Sequence, residues 1–393
     1  MTGEVKTKKS APLVFEGTSV IWWIWVAILC AFVLVGFYGI YLITQYPEIP
    51  TVPWGVLVSV YVFFALAATG SSIINSIQTV FGFEKMKPML KRGIWISLIT
   101  IVPAWIYIIV DLGRYFSFYN LYLLFHSTSR MAWMGLLYIF FGSFLFIELI
   151  SHIREKSTPR WFMSLMGILV IIVTLGVHTN LGALFGAAWS NPLWNGVPYL
   201  PFYFLVSAVL AGAALQITFT SITYLVKKRE LPEIFKEIFI NYYSIIIIGL
   251  IIVNFLFMAG KDIAGRGSPF IGILTTGPYS VMYWGIEVLL GGLIPLALLI
   301  HPGTRRSVNG LLAASILVLL GAAVSKYDLI IAGQSIKLSV YAWTTQYISY
   351  LPSAAEIATL IGGIAFWLLL YTIGDLLLPL EQEEEPKRWY FFK

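Results

Sequence analysis

Apolar residues run along this chain in blocks of about twenty, far longer than the four-to-eight-residue stretches of a buried strand. A helix needs about 20 mostly apolar residues to cross a bilayer. Ten such blocks are present, at 18–45, 53–80, 92–112, 130–153, 162–178, 198–226, 240–260, 278–300, 309–327 and 354–380. The pattern predicts an all-α integral membrane protein of ten transmembrane helices. No ten-residue segments of alternating polarity occur, so an outer-membrane barrel is excluded.

Composition narrows the class. Of the 393 residues 59% are hydrophobic and only 11% charged, against roughly 25% charged in soluble domains. A water-soluble fold cannot hide that much apolar side chain, so soluble enzymes and nucleic-acid binders are ruled out. The polar residues 1–17 precede a first apolar run too long for a signal-peptide core.

The position of the basic residues sets the orientation. With alternating spans, one side receives 19 Lys and Arg and the other 6. The positive-inside rule places both termini in the cytoplasm. The inner loops are short and basic. The outer segments 113–129, 179–197, 261–277 and 328–353 are longer and carry Trp189, Trp194, Tyr199, Trp343, Tyr347 and Tyr350. These aromatics fit an interfacial belt, and together the segments also fit a platform for a protein partner.

The chain carries an internal echo. Pro53-Trp54-Gly55-Val56-Leu57-Val58-Ser59 opens span 2, and Pro201-Phe202-Tyr203-Phe204-Leu205-Val206-Ser207 opens span 6. Asp111-Leu112-Gly113-Arg114 closes span 3, and Asp262 with Arg266 closes span 7. Glu148 in span 4 is matched with Glu287 in span 8. Spans 2 and 6 run in the same direction, which predicts two parallel-related four-helix bundles plus two flanking helices. The expected units are a tail 1–17, a flanking helix 18–52, a first bundle 53–178, a second bundle 179–327, an outer loop and last helix 328–380, and a tail 381–393.

Ionisable groups at membrane depth are costly and tend to have a reason. Asp111 and Arg114, spaced i to i+3, share a helix face. They read either as a polar wall for a ligand head group or as a structural ion pair. His178 closes span 5, followed by Thr179, Asn180 and glycines. An imidazole can donate or accept a proton near neutral pH, the chemistry a quinone carbonyl or quinol hydroxyl needs. Glu148, His152 and Glu287 are candidates for a proton path, or carboxyls held neutral by burial. The only cysteine, Cys30, cannot ligate an iron–sulfur cluster by itself. The four histidines His126, His152, His178 and His301 suggest no bis-histidine haem site.

Taken in order, Pro53-Trp54-Gly55, Asp111-x-Gly113-Arg114 and His178-Thr179-Asn180-Leu181-Gly182 resemble the NrfD/PsrC family, the membrane subunits of polysulfide reductase-like respiratory complexes. The stretch Tyr279–Leu290 and Pro352-Ser353-Ala354-Ala355-Glu356 look like its ten-span branch, which includes the HybB-type hydrogenase subunit and the DsrP/HmeB subunit of a sulfite-reduction-associated complex. The resemblance implies menaquinone bound in the first bundle near the outer face, with Asp111, Arg114, His178, Thr179 and Asn180 around it. It implies no haem or iron–sulfur cluster in this chain. Implied partners are a ferredoxin-like iron–sulfur subunit on the outer face and further redox subunits, such as a cytochrome c or other membrane or catalytic subunits. Relatives often carry Gln-Ser or Ser-Ser where this chain has Thr179-Asn180. The expected role is a quinone-binding subunit of a respiratory oxidoreductase in sulfur- or sulfite-linked anaerobic respiration. A proton- or ion-translocating transporter-like subunit and a passive membrane anchor are the competing readings.

Overall fold

The computed structural model describes residues 20–47, 51–113, 117–187, 193–194, 199–265, 269–337 and 346–380. Arg114, Arg266, Trp189, Trp343 and the two tails 1–17 and 381–393 lie outside the described residues. Ten helices are long and apolar enough to cross a membrane. They are α1 (Val20–Gln45), α2 (Val56–Phe81), α3 (Glu84–Asp111), α4 (Arg130–Ile153), α5 (Arg160–Gly186), α6 (Tyr199–Val226), α7 (Glu233–Ala264), α8 (Val281–Ile300), α9 (Val308–Ala332) and α10 (Ala354–Leu377). In hydrocarbon every backbone polar group must be satisfied within the segment, which leaves helices as the form for these runs.

Four helices are longer than their apolar runs predict. α5 does not stop at His178 but continues two turns to Gly186. α7 reaches Ala264 and takes in Lys261 and Asp262, and α9 reaches Ala332 and takes in Asp328. α3 begins eight residues early, at Glu84. Asn180 and Asp328 in these extensions are buried against neighbouring helices, so hydropathy ends before the backbone does. Expected unit boundaries at 178 and 327 therefore fall inside helices.

Helix packing brings α2, α3, α4 and α5 into one ring and α6, α7, α8 and α9 into another. The rings meet mainly where α2 lies against α6. Small residues allow this crossing. A Cβ at Gly70 would strike the Ala208 carbonyl, and one at Gly212 would strike the backbone at Ser71, the close approach that small residues give membrane helices. α1 packs on α10, and α10 on α3. A Cβ at Gly36 would come within 2.5 Å of the Gly362 Cα. Most of α1 is otherwise exposed, as a lipid-facing helix should be.

Ends of helices are chemically marked. Ser353 accepts a hydrogen bond from the Glu356 N–H at 3.2 Å, and Glu356 accepts one from the Ser353 N–H at 2.8 Å. This capping box satisfies two otherwise orphaned donors at the start of α10. Gly82, at φ +67°, turns the chain out of α2. On the basic face, which holds the α2–α3, α4–α5, α6–α7 and α8–α9 connections, Asp375 bridges two cations. Arg92 Nη1 lies 3.0 Å from Oδ1, and Lys227 Nζ 2.7 Å from Oδ2. Asp375 thus joins α10 to α3 and to the end of α6.

One leg of the internal echo fails in depth. Glu287 sits six residues from the start of α8, whereas Glu148 sits eighteen residues from the start of α4. At 1.5 Å rise per residue the two carboxyls differ by about 18 Å along their helices.

Candidate functional site

On the face opposite the basic one, the first ring encloses a cavity of about 400 Å³. Ligand sites commonly span about 300–1,000 Å³, mostly apolar with a few placed polar groups. The start of α2 supplies Trp54, Val58 and Tyr61, the end of α3 supplies Trp105 and Asp111, and α4 supplies Met134 and Tyr138. Phe185 closes it from the end of α5. Among the described residues Asp111 is the only charged one in the lining.

The cavity opens sideways. Leu112, Phe118, Met131 and Ile139 line it and also rank among the exposed apolar residues. They place the mouth between the end of α3 and the start of α4, on the exposed apolar surface of the ring. A shallower hollow of about 310 Å³ shares Leu112, Phe118 and Leu121 with it and adds Asn120, His126 and Ser129. The helical turn Asn120–Leu123 separates the two.

Two features of the cavity are not legible in the sequence. Tyr61 and Tyr138 share a hydrogen bond of 3.1 Å between their hydroxyls. Their signal is faint: a Tyr away from the interface belt needs a partner for its hydroxyl. Trp54 is held from the second ring. Its N–H donates to Gln334 Oε1 at 3.0 Å, and Gln334 Nε2 donates to its carbonyl at 2.9 Å. Its ring stacks on Trp194, centroids 5.2 Å apart, and Trp194 Nε1 donates to the Leu329 carbonyl at 2.7 Å.

The sequence-predicted residues divide. Asp111 lines the cavity. His178 does not; it is 2% exposed, and neither ring nitrogen has a hydrogen-bond partner among the described residues. It lies on α5 seven residues before Phe185, hence on the same helix face but about 10 Å deeper. Thr179 is exposed on the other side of α5. Asn180 donates to the Arg130 carbonyl at 2.8 Å and approaches Met134 Sδ at 3.7 Å. It positions the start of α4, and with it a wall of the cavity.

Glu148 and His152 form a separate cluster toward the basic face. Ser76 and Thr79 of α2 donate to Glu148 at 3.3 and 3.2 Å, and Thr79 Oγ1 lies 3.3 Å from His152 Nε2. Glu148 is fully buried. Along the inner stripe of α4, Phe141 and Leu145 stand between this cluster and Tyr138, and both are fully buried. Glu287 is in the other ring, so the three expected proton-path residues are not brought together. Among the described residues no group of three or more His, Cys, Asp or Glu is placed to hold a metal.

Residues 44–337 match the family model of NrfD, polysulphide reductase. The chain is 26% identical to the Hdr-like menaquinol oxidoreductase integral membrane subunit of Archaeoglobus fulgidus, covering 94% of this chain and 96% of that one. It is 22% identical to a subunit of the selenate reductase of Mesobacillus selenatarsenatis, over 84% and 87% of the two chains. It is 25% identical to a probable Ni/Fe-hydrogenase 2 b-type cytochrome subunit of Escherichia coli, over 84% and 83%. A family match over well more than half the length, with ten spanning helices, establishes that this multi-pass membrane protein belongs to the NrfD polysulphide reductase family.

Proposed function

We propose that the chain is the quinone-binding membrane subunit of a respiratory oxidoreductase complex, exchanging electrons between menaquinol or menaquinone and an extrinsic iron–sulfur subunit. The observation that carries this reading is the apolar cavity with a single carboxylate among its described lining, Asp111, and a mouth between α3 and α4 edged by exposed apolar residues. A hydrophobic carrier diffusing in the bilayer enters such a mouth without crossing water. The relative named as a menaquinol oxidoreductase subunit supports the choice of carrier.

In this reading the basic face is cytoplasmic, with both termini, and the cavity lies near the outer surface. The two rings are parallel-related four-helix bundles flanked by α1 and α10. Oxidation of one quinol yields a quinone, two electrons and two protons. The Asp111 carboxylate accepts a hydrogen bond from a quinol hydroxyl and then its proton, as a general base. Trp54 and Trp105 hold the head-group ring. Protons leave outward, and electrons pass to a ferredoxin-like subunit seated on the outer segments. A sulfur- or sulfite-linked respiratory chain is the preferred setting.

The test uses the intact complex and a photoreactive menaquinone analogue. Cross-links are expected on peptides spanning Trp105–Ile139, and excess menaquinone should remove them. Cross-links confined to other helices would refute the assignment.

A further inference from the structure

The second ring contains a concentration of buried charge that the quinone cavity does not use. Lys326 and Asp328 of α9 are each 1% exposed, and Glu287 of α8 is 7% exposed. Lys261 and Asp262 of α7 stand beside them, partly exposed. Both oxygens of Asp328 and Oδ1 of Asp262 lack hydrogen-bond partners among the described residues. Asp262 Oδ2 accepts from the Tyr283 hydroxyl at 2.5 Å. Lys326 Nζ lies 3.4 Å from the Tyr203 hydroxyl and 4.5 Å from the centroid of its ring.

Two small cavities, each of about 20 Å³, adjoin this group. Glu287 and Ser325 line both; Lys261, Asp328 and Tyr199 line one, and Lys326 the other. About 10–15 Å³ is enough for a water molecule where polar partners are at hand. The backbone is also unusual. Glu287 lies in the π-helical stretch Val281–Leu293 and Asp328 opens another, Asp328–Ala332. Such stretches recur at functional sites.

Charge counting then decides what the group does. Three carboxylates, Asp262, Glu287 and Asp328, face two ammonium groups, Lys261 and Lys326. Among the described residues the other titratable groups around them are Tyr199, Tyr203, Tyr279, Tyr283 and Tyr327, neutral phenols near pH 7. A net charge at this depth is expensive. One added proton cancels it, and Asp328 offers two open acceptors. We propose that the second ring holds a one-proton loading site, a hydrated chamber of Glu287, Asp328 and Lys326. Toward the basic face the second cavity is walled by Leu210, Ile251 and Val318, whereas Lys261 and Asp262 lie toward the opposite face. The chamber is therefore a dead end that exchanges its proton with that opposite face.

Dicyclohexylcarbodiimide couples to protonated carboxyls in apolar surroundings, and its adducts can be mapped by mass spectrometry on the whole complex in sealed vesicles without quinol. The wild type should carry an adduct on Glu287 or Asp328, following the pH of the side opposite the basic face. Glu287→Gln leaves two carboxylates to two ammoniums, so labelling of Asp328 should vanish. Lys326→Met leaves three carboxylates to one ammonium, so labelling should rise; Lys261→Met does the same if that variant fails to assemble. Glu148, outside the chamber, should label equally in all. Asp328 labelling that persists in Glu287→Gln overturns the proposal, as does a wild type labelled only at Glu148 or a response to the other side's pH. The readout is independent of quinol turnover, so its failure leaves the reading of the first-ring cavity standing.

Discussion

The hydroxyls of Tyr61 on α2 and Tyr138 on α4 meet at 3.1 Å across the first ring, with the two rings edge to face at an 81° interplanar angle. Both residues are buried and line the cavity. Each hydroxyl is the other's partner. Tyr138→Phe should lower the thermal stability of the complex by about 1 kcal/mol, since it strands a buried hydroxyl. Tyr61→Phe with Tyr138→Phe should recover most of that loss, because no polar group is then left alone. A double variant as unstable as the sum of the singles would contradict the pairing.

Asp111 is the one carboxylate among the described residues of the cavity. Asp111→Asn keeps the shape and removes the base, and should lower quinol-dependent kcat by about 10²-fold or more while leaving quinone affinity nearly intact. Asp111→Glu should restore part of the rate. Steady-state turnover of the intact complex measures both, and full activity in the Asn variant would leave Asp111 with only a structural role.

Gln334 holds Trp54 by two hydrogen bonds to its backbone. Gln334→Leu should let the indole shift and raise the apparent KM for quinol about tenfold, equivalent to 1.4 kcal/mol. Protein stability should fall only slightly, as both residues are partly exposed. An unchanged KM would mean that stacking on Trp194 suffices.

Asp375 serves Arg92 and Lys227 together. Arg92 is 1% exposed and also donates to the Tyr371 hydroxyl at 2.7 Å. Asp375→Asn removes the counter-charge of a buried cation and should destabilise the fold by about 3 kcal/mol. Denaturation in detergent should show it, with the quinone cavity unaffected in whatever fraction stays folded.

The surface pair Lys87–Glu155, 2.6 Å apart, gives a pH-dependent check. Partial burial alone would raise the Glu155 carboxyl, but the hydrogen bond and charge of Lys87 outweigh it and hold it below the usual range. A depressed folded value stabilises above the unfolded one, near 4.3, and that contribution is lost as pH falls through the folded value. Lys87→Met should therefore lower the melting temperature slightly at pH 7 and not at all once Glu155 is protonated. Equal losses at both pH values would exclude the ion pair as the source.

Much of the protein is written in one dimension. Hydropathy alone determines ten membrane helices, because lipid admits no other form for runs of this length. Lys and Arg placement distinguishes a basic face from an aromatic one. Asp111 stands out because a charge beside the bilayer needs a reason. Tyr61 and Tyr138 do not, because an aromatic in an apolar helix looks the same whether it fills a core or lines a cavity. His178 stands out for its chemistry, yet its depth on α5 sets it below the cavity. Lys261 and Asp328 read as outer-segment charges, because hydropathy drops where a helix turns a polar face inward. Which side chains meet depends on helix rotation, on the close crossing at Gly70 and Gly212, and on π-helical shifts of register. These come from packing between distant segments, and only the tertiary structure decides them.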